Sequence, residues 1–178
     1  AMLAAAKRPV IVCGQGALAS DAGNEVIALA EEFNIPVGCT MTGKGTVSEI
    51  HPLSIRLIGA RGGTSWSNRF LQTADLVFFI GSNTDSAGTD GWKLPPNVGG
   101  PKIISLNIDG VDAANNYPTE AVLVGDAKAT LGYMAEKIRE YGIKSSSENA
   151  SEIRAAIAEL DRSTKEPCTC PDTPVHPI

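Results

Sequence analysis

The chain has 178 residues, 43% of them hydrophobic, with a net charge of −5 from 15 basic and 20 acidic side chains. That is enough apolar material for one core, and the interspersed charges form no basic block, which argues against nucleic acid or an anionic membrane as a partner. No apolar run approaches the roughly 20 residues of a membrane span, no secretory leader is recognisable, Ala1 before Met2 reads as a cloning remnant, and four scattered cysteines are too few for a disulfide framework; the default compartment is the cytoplasm.

The first recognisable unit is PVIVCGQGALASDAGNEVIALAEEF. Val10, Ile11 and Val12 are a β-branched run, Gly14 and Gly16 a turn, and Val26, Leu29, Ala30 and Phe33 fall at i, i+3, i+4 and i+7 of a helix. Ser20 is the expected N-cap, and Asn34 the expected stop. Glycine there tolerates positive φ and lets a ligand approach the backbone amides, which near a helix N-terminus favour phosphate. A second strand is expected over residues 35–40, then a glycine-bearing loop over 41–48, then a short extended segment through Ile55, Leu57 and Ile58. Thr64 or Ser65 can cap a helix with Trp66, Phe70 and Thr73 on its apolar face.

The run Leu76-Val77-Phe78-Phe79-Ile80 is apolar on both faces, as a strand between two helix layers must be. Residues 84–100, rich in Gly, Pro and Asn, are expected to form a long exposed loop. Further strands are expected over 102–108 and 120–124, and a helix over 127–141 with Leu131, Met134, Ala135 and Ile138 inward and Gly142 as its stop. Ser145, Ser146 and Ser147 read as a hinge, 148–161 as a second amphipathic helix, and 167–178, with four prolines, as a linker. Strands alternating with helices imply an α/β, three-layer αβα fold on a mostly parallel sheet, with ligands beyond the carboxyl ends of the strands.

Several motifs lead nowhere chemically. Gly14 to Ala19 satisfies a loose dinucleotide fingerprint, but the second strand ends in Gly38-Cys39-Thr40, without the acidic residue a ribose would need. Gly38 to Lys44 imitates a phosphate-binding loop, yet Gly45 stands where its hydroxyl belongs. Arg61 in a glycine-rich loop suits an anion, or is a surface Arg in a turn. Asp109 and Asp126 end strands and can meet ribose hydroxyls, although Asp126 also suits a helix cap. Cys168 and Cys170 lack ligands for zinc apart from His176, and neither His51 nor His176 has a catalytic partner. These are binding loops without reaction chemistry.

The order of blocks RPVIVCGQGA, IPVGCTMTGKG, HPL, the G-x-x-G segment, TADLVFFIGSN, IISLNID and VGDAKATL resembles the central domain of thiamine-diphosphate-dependent enzymes of the acetolactate synthase and 2-oxoacid decarboxylase superfamily, across residues 7–141. The resemblance implies a six-stranded, Rossmann-like parallel sheet of the deoxyhypusine-synthase type. It implies a central domain at 1–144, with 145–178 a helix and linker towards a third domain. It also implies pyrimidine- and diphosphate-binding domains of the same polypeptide as partners, and a homodimeric or homotetrameric parent using thiamine diphosphate and Mg²⁺. The catalytic Glu and the metal motif of such enzymes belong to those other domains, so no catalytic or metal-binding residue is expected here and the chain alone should be inactive.

By the same resemblance, a nucleotide site falls on Gly14, Gln15, Gly16, Thr40, Met41, Arg61, Gly62, Gly81, Asn83, Asn107, Ile108, Asp109 and Asp126, and holds ADP or FAD. Flavin-binding members read G-A-R-F-D and I-D-I-D where this chain has GSNTD and LNID, so Asn83 and Asn107 stand in place of an Arg and a carboxylate. ADP-type binding survives those changes better than flavin stacking. The alternatives are an FAD module like that of electron-transfer flavoproteins, or a structural domain with an empty cleft.

Overall fold

A computed structural model describes residues 1–144, 154–159 and 162. In chain order the elements are α1 (Met2–Ala5), β1 (Pro9–Cys13), α2 (Gln15–Ala19), α3 (Gly23–Phe33), β2 (Val37–Cys39), β3 (Ser54–Leu57), α4 (Ser65–Thr73), β4 (Leu76–Ile80), β5 (Lys102–Asn107), β6 (Ala121–Val124) and α5 (Ala127–Glu140). The six strands form one sheet in the order β3-β2-β1-β4-β5-β6, with every pairing parallel. No described helix is long and apolar enough to cross a membrane.

Alternation along the strands builds two cores. Ile11, Cys13, Leu76, Phe78, Ile80, Ile104 and Leu106 face one layer, where Val26, Leu29, Ala30 and Phe33 of α3 and Leu131 of α5 meet them. Val10, Val12, Val77, Phe79 and Ile103 face the other, against Leu71 of α4, Leu94, Tyr117 and Ile157. Central strands covered on both faces must be apolar throughout, which is why β1 and β4 are buried at all five positions.

Several expectations are corrected. The first helix does not begin near Ser20. Helix α2 starts at once after Gly14, its N-cap, and ends at Ser20, whose hydroxyl turns back to the Ala17 carbonyl at 3.4 Å. Asp21, at φ 54°, then breaks the chain before α3. Short α1 was not foreseen; its Leu3 docks on the first core. Strands β2 and β5 are shorter than expected, and β3 begins at Ser54. The inward residues of α4 are Ser67 and Leu71. Trp66 and Phe70 are half-buried and lie against each other at 5.0 Å between ring centroids, and Thr73 is exposed.

Residues 84–100 are not simply an exposed loop. Thr84, Thr89 and Leu94 are buried, the Trp92 indole donates to the Thr84 carbonyl at 3.1 Å, and the Tyr117 hydroxyl donates to the Pro95 carbonyl at 3.0 Å. Asn34 ends α3 in the left-handed region, and Asp126 caps α5 by accepting from the Ala129 amide at 2.9 Å. The serine hinge and the proline-rich end lie outside the described residues. Of the expected second amphipathic helix, residues 154–159 are described and are helical.

Candidate functional site

The strand order places β1 and β4 side by side while their connections leave in opposite directions, to α2 on one side and towards β5 on the other. In parallel sheets this is where a crevice opens beyond the strand ends. Here the loop after β1 and the loop after β4 cross in backbone contact. The amides of Gly14 and Gly16 donate to the carbonyls of Ile80 and Gly81 at 2.9 and 2.8 Å. Gly81 sits at φ 61°, and a Cβ on it would lie 2.3 Å from the Ala17 nitrogen. The glycines are therefore required by the crossing itself. The expectation that the Gly14 and Gly16 amides stay free for a phosphate is corrected: both are bonded within the protein.

Above the crossing lies a cleft of about 480 Å³, within the roughly 300–1,000 Å³ of small-molecule sites. Gly14, Gln15, Gly16 and Ala19 line it from the first loop and α2, and Thr40, Met41 and Thr42 from the turn after β2. Ile58 and Arg61 come from the segment after β3, Gly81, Ser82 and Asn83 from the loop after β4, Asn107 from the end of β5 and Asp112 from the short 3-10 turn that follows it. Asp85, Ala87 and Gly88 close it from the long excursion, which is held to the neighbouring loop by the Ala60 amide donating to the Ala87 carbonyl at 3.3 Å.

Of the thirteen expected site residues, the cleft thus brings together Gly14, Gln15, Gly16, Thr40, Met41, Arg61, Gly81, Asn83 and Asn107. Gly62 lies in a separate hollow beside Lys44 and Arg56, and Ile108 and Asp126 line a shallower one of about 240 Å³ above β5 and β6. Asp109 lines none of these; its carboxylate accepts from the Val111 amide at 2.8 Å in a local turn. Among the residues not anticipated, Ala19, Thr42, Ile58 and Ser82 adjoin expected segments, whereas Asp85, Ala87, Gly88 and Asp112 come from irregular segments whose long-range placement leaves no periodic trace in sequence.

Chemically the site divides into spent and available groups. The Asn107 amide is spent: its Nδ2 donates to the Ser82 carbonyl at 3.2 Å and its Oδ1 accepts from the Asp109 amide at 3.1 Å. The Thr40 hydroxyl accepts from the Gly43 amide at 3.2 Å, and one Asp85 oxygen accepts from the Gly88 amide at 2.6 Å. The side chains of Gln15, Arg61 and Asn83 make no hydrogen bond or ion pair among the described residues, and all three are exposed. Met41 is 50% exposed and offers an apolar wall beside buried Ile58. The arrangement can hold a flat, partly apolar group and one anion. It carries carboxylates at Asp85 and Asp112 but no nucleophile paired with a base.

Residues 1–134 match the family described as thiamine pyrophosphate enzyme, central domain. A probable acetolactate synthase large subunit of Methanococcus aeolicus is 33% identical over 99% of this chain and 30% of its own length. A 3D-(3,5/4)-trihydroxycyclohexane-1,2-dione hydrolase of Listeria monocytogenes is 38% identical over 79% of this chain and 21% of its own. The acetolactate synthase isozyme 3 large subunit of Escherichia coli is 27% identical over 96% and 29%. The chain spans less than a third of the length of these relatives. None of them lends support to an electron-transfer flavoprotein.

Proposed function

Because this chain belongs to the family of thiamine pyrophosphate enzyme central domains, we propose that it is the middle, non-catalytic domain of a larger enzyme whose reaction makes or breaks a C–C bond next to a carbonyl. The observation that carries the reading is the match across residues 1–134. In it, the pyrimidine- and diphosphate-binding domains of the same polypeptide hold thiamine diphosphate and Mg²⁺, this domain spaces and orients them, and the parent is a cytoplasmic homodimer or homotetramer.

Within the cleft we propose an adenine nucleotide of the ADP type. Among its lining residues, the groups left available are those such a ligand uses. Arg61 supplies the cation for a phosphate, Asn83 and Gln15 supply amides for hydroxyls or a ring, and Met41 with Ile58 supplies an apolar surface for the base. The Gly14 and Gly16 amides are consumed within the protein, which supports a reading with the phosphates on the Arg61 side, away from the first glycine turn. An FAD is the poorer fit, since the Asn107 side chain at the end of β5 is bonded internally and Asp109 and Asp126 lie outside the cleft.

Calorimetric titration of the purified chain with ADP, FAD and NAD tests this. ADP should bind, and Arg61→Ala should weaken it by about tenfold, roughly 1.4 kcal/mol. No heat with any of the three would leave a structural domain with an empty cleft; tighter binding of FAD than ADP would overturn the ligand. The parent is tested by reading the gene on both sides, where a domain bearing a catalytic Glu must precede and a GDG-to-Asn metal motif must follow.

A further inference from the structure

Two cysteines that the cleft does not use stand opposite each other in the sheet. Cys13 closes β1, Cys39 closes β2, and the register pairs Cys13 with Cys39 directly. Neighbouring strands lie about 4.8 Å apart, inside the roughly 4.4–6.8 Å between Cα atoms that a disulfide spans. In-register partners in parallel strands point to the same side, and both side chains enter the α3-covered core. Both are free thiols, Cys13 fully buried and Cys39 with 6% of its surface exposed.

The two thiols are unequal. The hydrogen bond that Cys13 supplies holds Cys39 below the ordinary thiol range, against its own burial, with a further backbone bond from Val47. The same interaction, together with complete burial, pushes Cys13 well up. An acidified sulfur beside a protonated one is the arrangement in which one thiol attacks and its neighbour resolves.

We propose that Cys13 and Cys39 form an oxidisable dithiol whose co-reactant is a small peroxide, and that its oxidation product is a disulfide joining β1 to β2. The Cys39 thiolate attacks one peroxide oxygen, the O–O bond breaks, and the released hydroxide takes a proton, leaving Cys39 as sulfenic acid. The Cys13 sulfur then attacks the Cys39 sulfur, the S–O bond breaks, and the second water leaves with the Cys13 proton. Two thiols and one hydrogen peroxide become one disulfide and two waters. A small oxidant suits a sulfur with so little exposed surface. The link would tie the floor of the cleft, because Gly14 and Thr40 follow the two cysteines and the Thr40 amide already donates to the Cys13 carbonyl at 2.9 Å. The pairing rests on strand geometry and the order of attack on the inequality of the two thiols, whatever ligand the cleft takes.

The test is hydrogen peroxide applied to the full chain carrying C168S and C170S, which leaves two of its four cysteines. The expected result is an intact mass lower by two hydrogens and a Cys13–Cys39 linked peptide, formed at least about tenfold faster than any sulfinic acid. Adding C13S should stop the reaction at a Cys39 sulfenic acid that dimedone captures. Should that variant not fold, peptide mapping of the two-cysteine chain decides alone. Over-oxidation of Cys39 beside a free Cys13, or thiols that react only after unfolding in urea, would overturn the proposal.

Discussion

At the scale of single residues, the glycines of the first loop are the feature most open to misreading. Their spacing suggests ligand contact, but the structure gives the space beside Gly81 to the backbone of Gly16 and Ala17. A side chain there meets two penalties, a left-handed φ and a rigid neighbour. Gly99 has a similar φ of 67° and nothing within 4 Å, so it isolates the first penalty. Gly99→Ala should cost about 1–2 kcal/mol, and Gly81→Ala about 2–5 kcal/mol, compared by urea denaturation; equal losses would mean that the crossing is not tight. Tyr117 makes a second residue-scale case. Its ring stacks on Phe79 at 5.8 Å and its hydroxyl donates to the Pro95 carbonyl. Burial pushes its ionisation from 10 up to about 12. The folded state thus favours the neutral phenol, so this contribution is complete below pH 10 and is lost as pH rises from about 10 to 12. Its size is about 1–2 kcal/mol after allowing for solvent near the hydroxyl. Tyr117→Phe should lose roughly 1 kcal/mol at neutral pH and flatten the stability profile across that alkaline window. An unchanged slope would assign the pH dependence elsewhere.

At the scale of elements, α4 shows how a helix start shapes the cleft. Thr64 caps it by accepting from the Ser67 amide at 3.0 Å, and the Ser67 hydroxyl accepts from the Thr64 amide at 2.9 Å, a reciprocal box. One turn on, Asn68 grips Gly59 twice, accepting from its amide at 2.9 Å and donating to its carbonyl at 3.3 Å. The cap and the grip together fix the loop that carries Arg61. Thr64→Ala should therefore cost about 1 kcal/mol and also weaken ADP binding if Arg61 holds the phosphate, read by denaturation and calorimetry on one variant. A stability loss with ADP affinity intact would detach Arg61 from the ligand. The same element shows what sequence makes legible. Its cap was readable from Thr64 because capping is local, and the strands were readable because burial on both faces demands continuous apolar runs such as 76–80. The inward face of α4 was not, since Ser67 is buried by its capping role and only contact with the sheet selects Leu71 over Trp66. Helix α2 is not legible because five residues carry no period. The cleft wall at Ala87 and Gly88 is illegible for a related reason: its local turn is set by Asp85, but its place against the cleft is set by distant contact with Gly59 and Ala60. Asn107 was legible as a strand end, yet the partners that consume its amide are set by tertiary geometry.

At the scale of the whole molecule, the question is where this domain ends. The sequence suggests a boundary near residue 144, followed by a helix and a proline-rich linker. The geometry favours a longer unit. Ile157 is 5% exposed and packs into the same core layer as Val10, Val12, Val77 and Phe79, and the Arg154 guanidinium donates to the Asn34 side chain at 3.2 Å. A helix that places a branched aliphatic side chain in the core contributes to the stability of the fold it covers, and burying one such side chain is worth about 1.5–3 kcal/mol. The sheet and its five labelled helices are complete without it, so residues 1–144 should still fold. We therefore expect the 1–144 chain to unfold cooperatively in urea, less stable than the full chain by about 2–3 kcal/mol, with Ile157→Asp in the full chain reproducing most of that loss. A truncated chain as stable as the whole would return 145–178 to the role of linker. A truncated chain that does not fold would instead make the terminal helix an obligatory wall of the second core, and would move the boundary with the next domain beyond it.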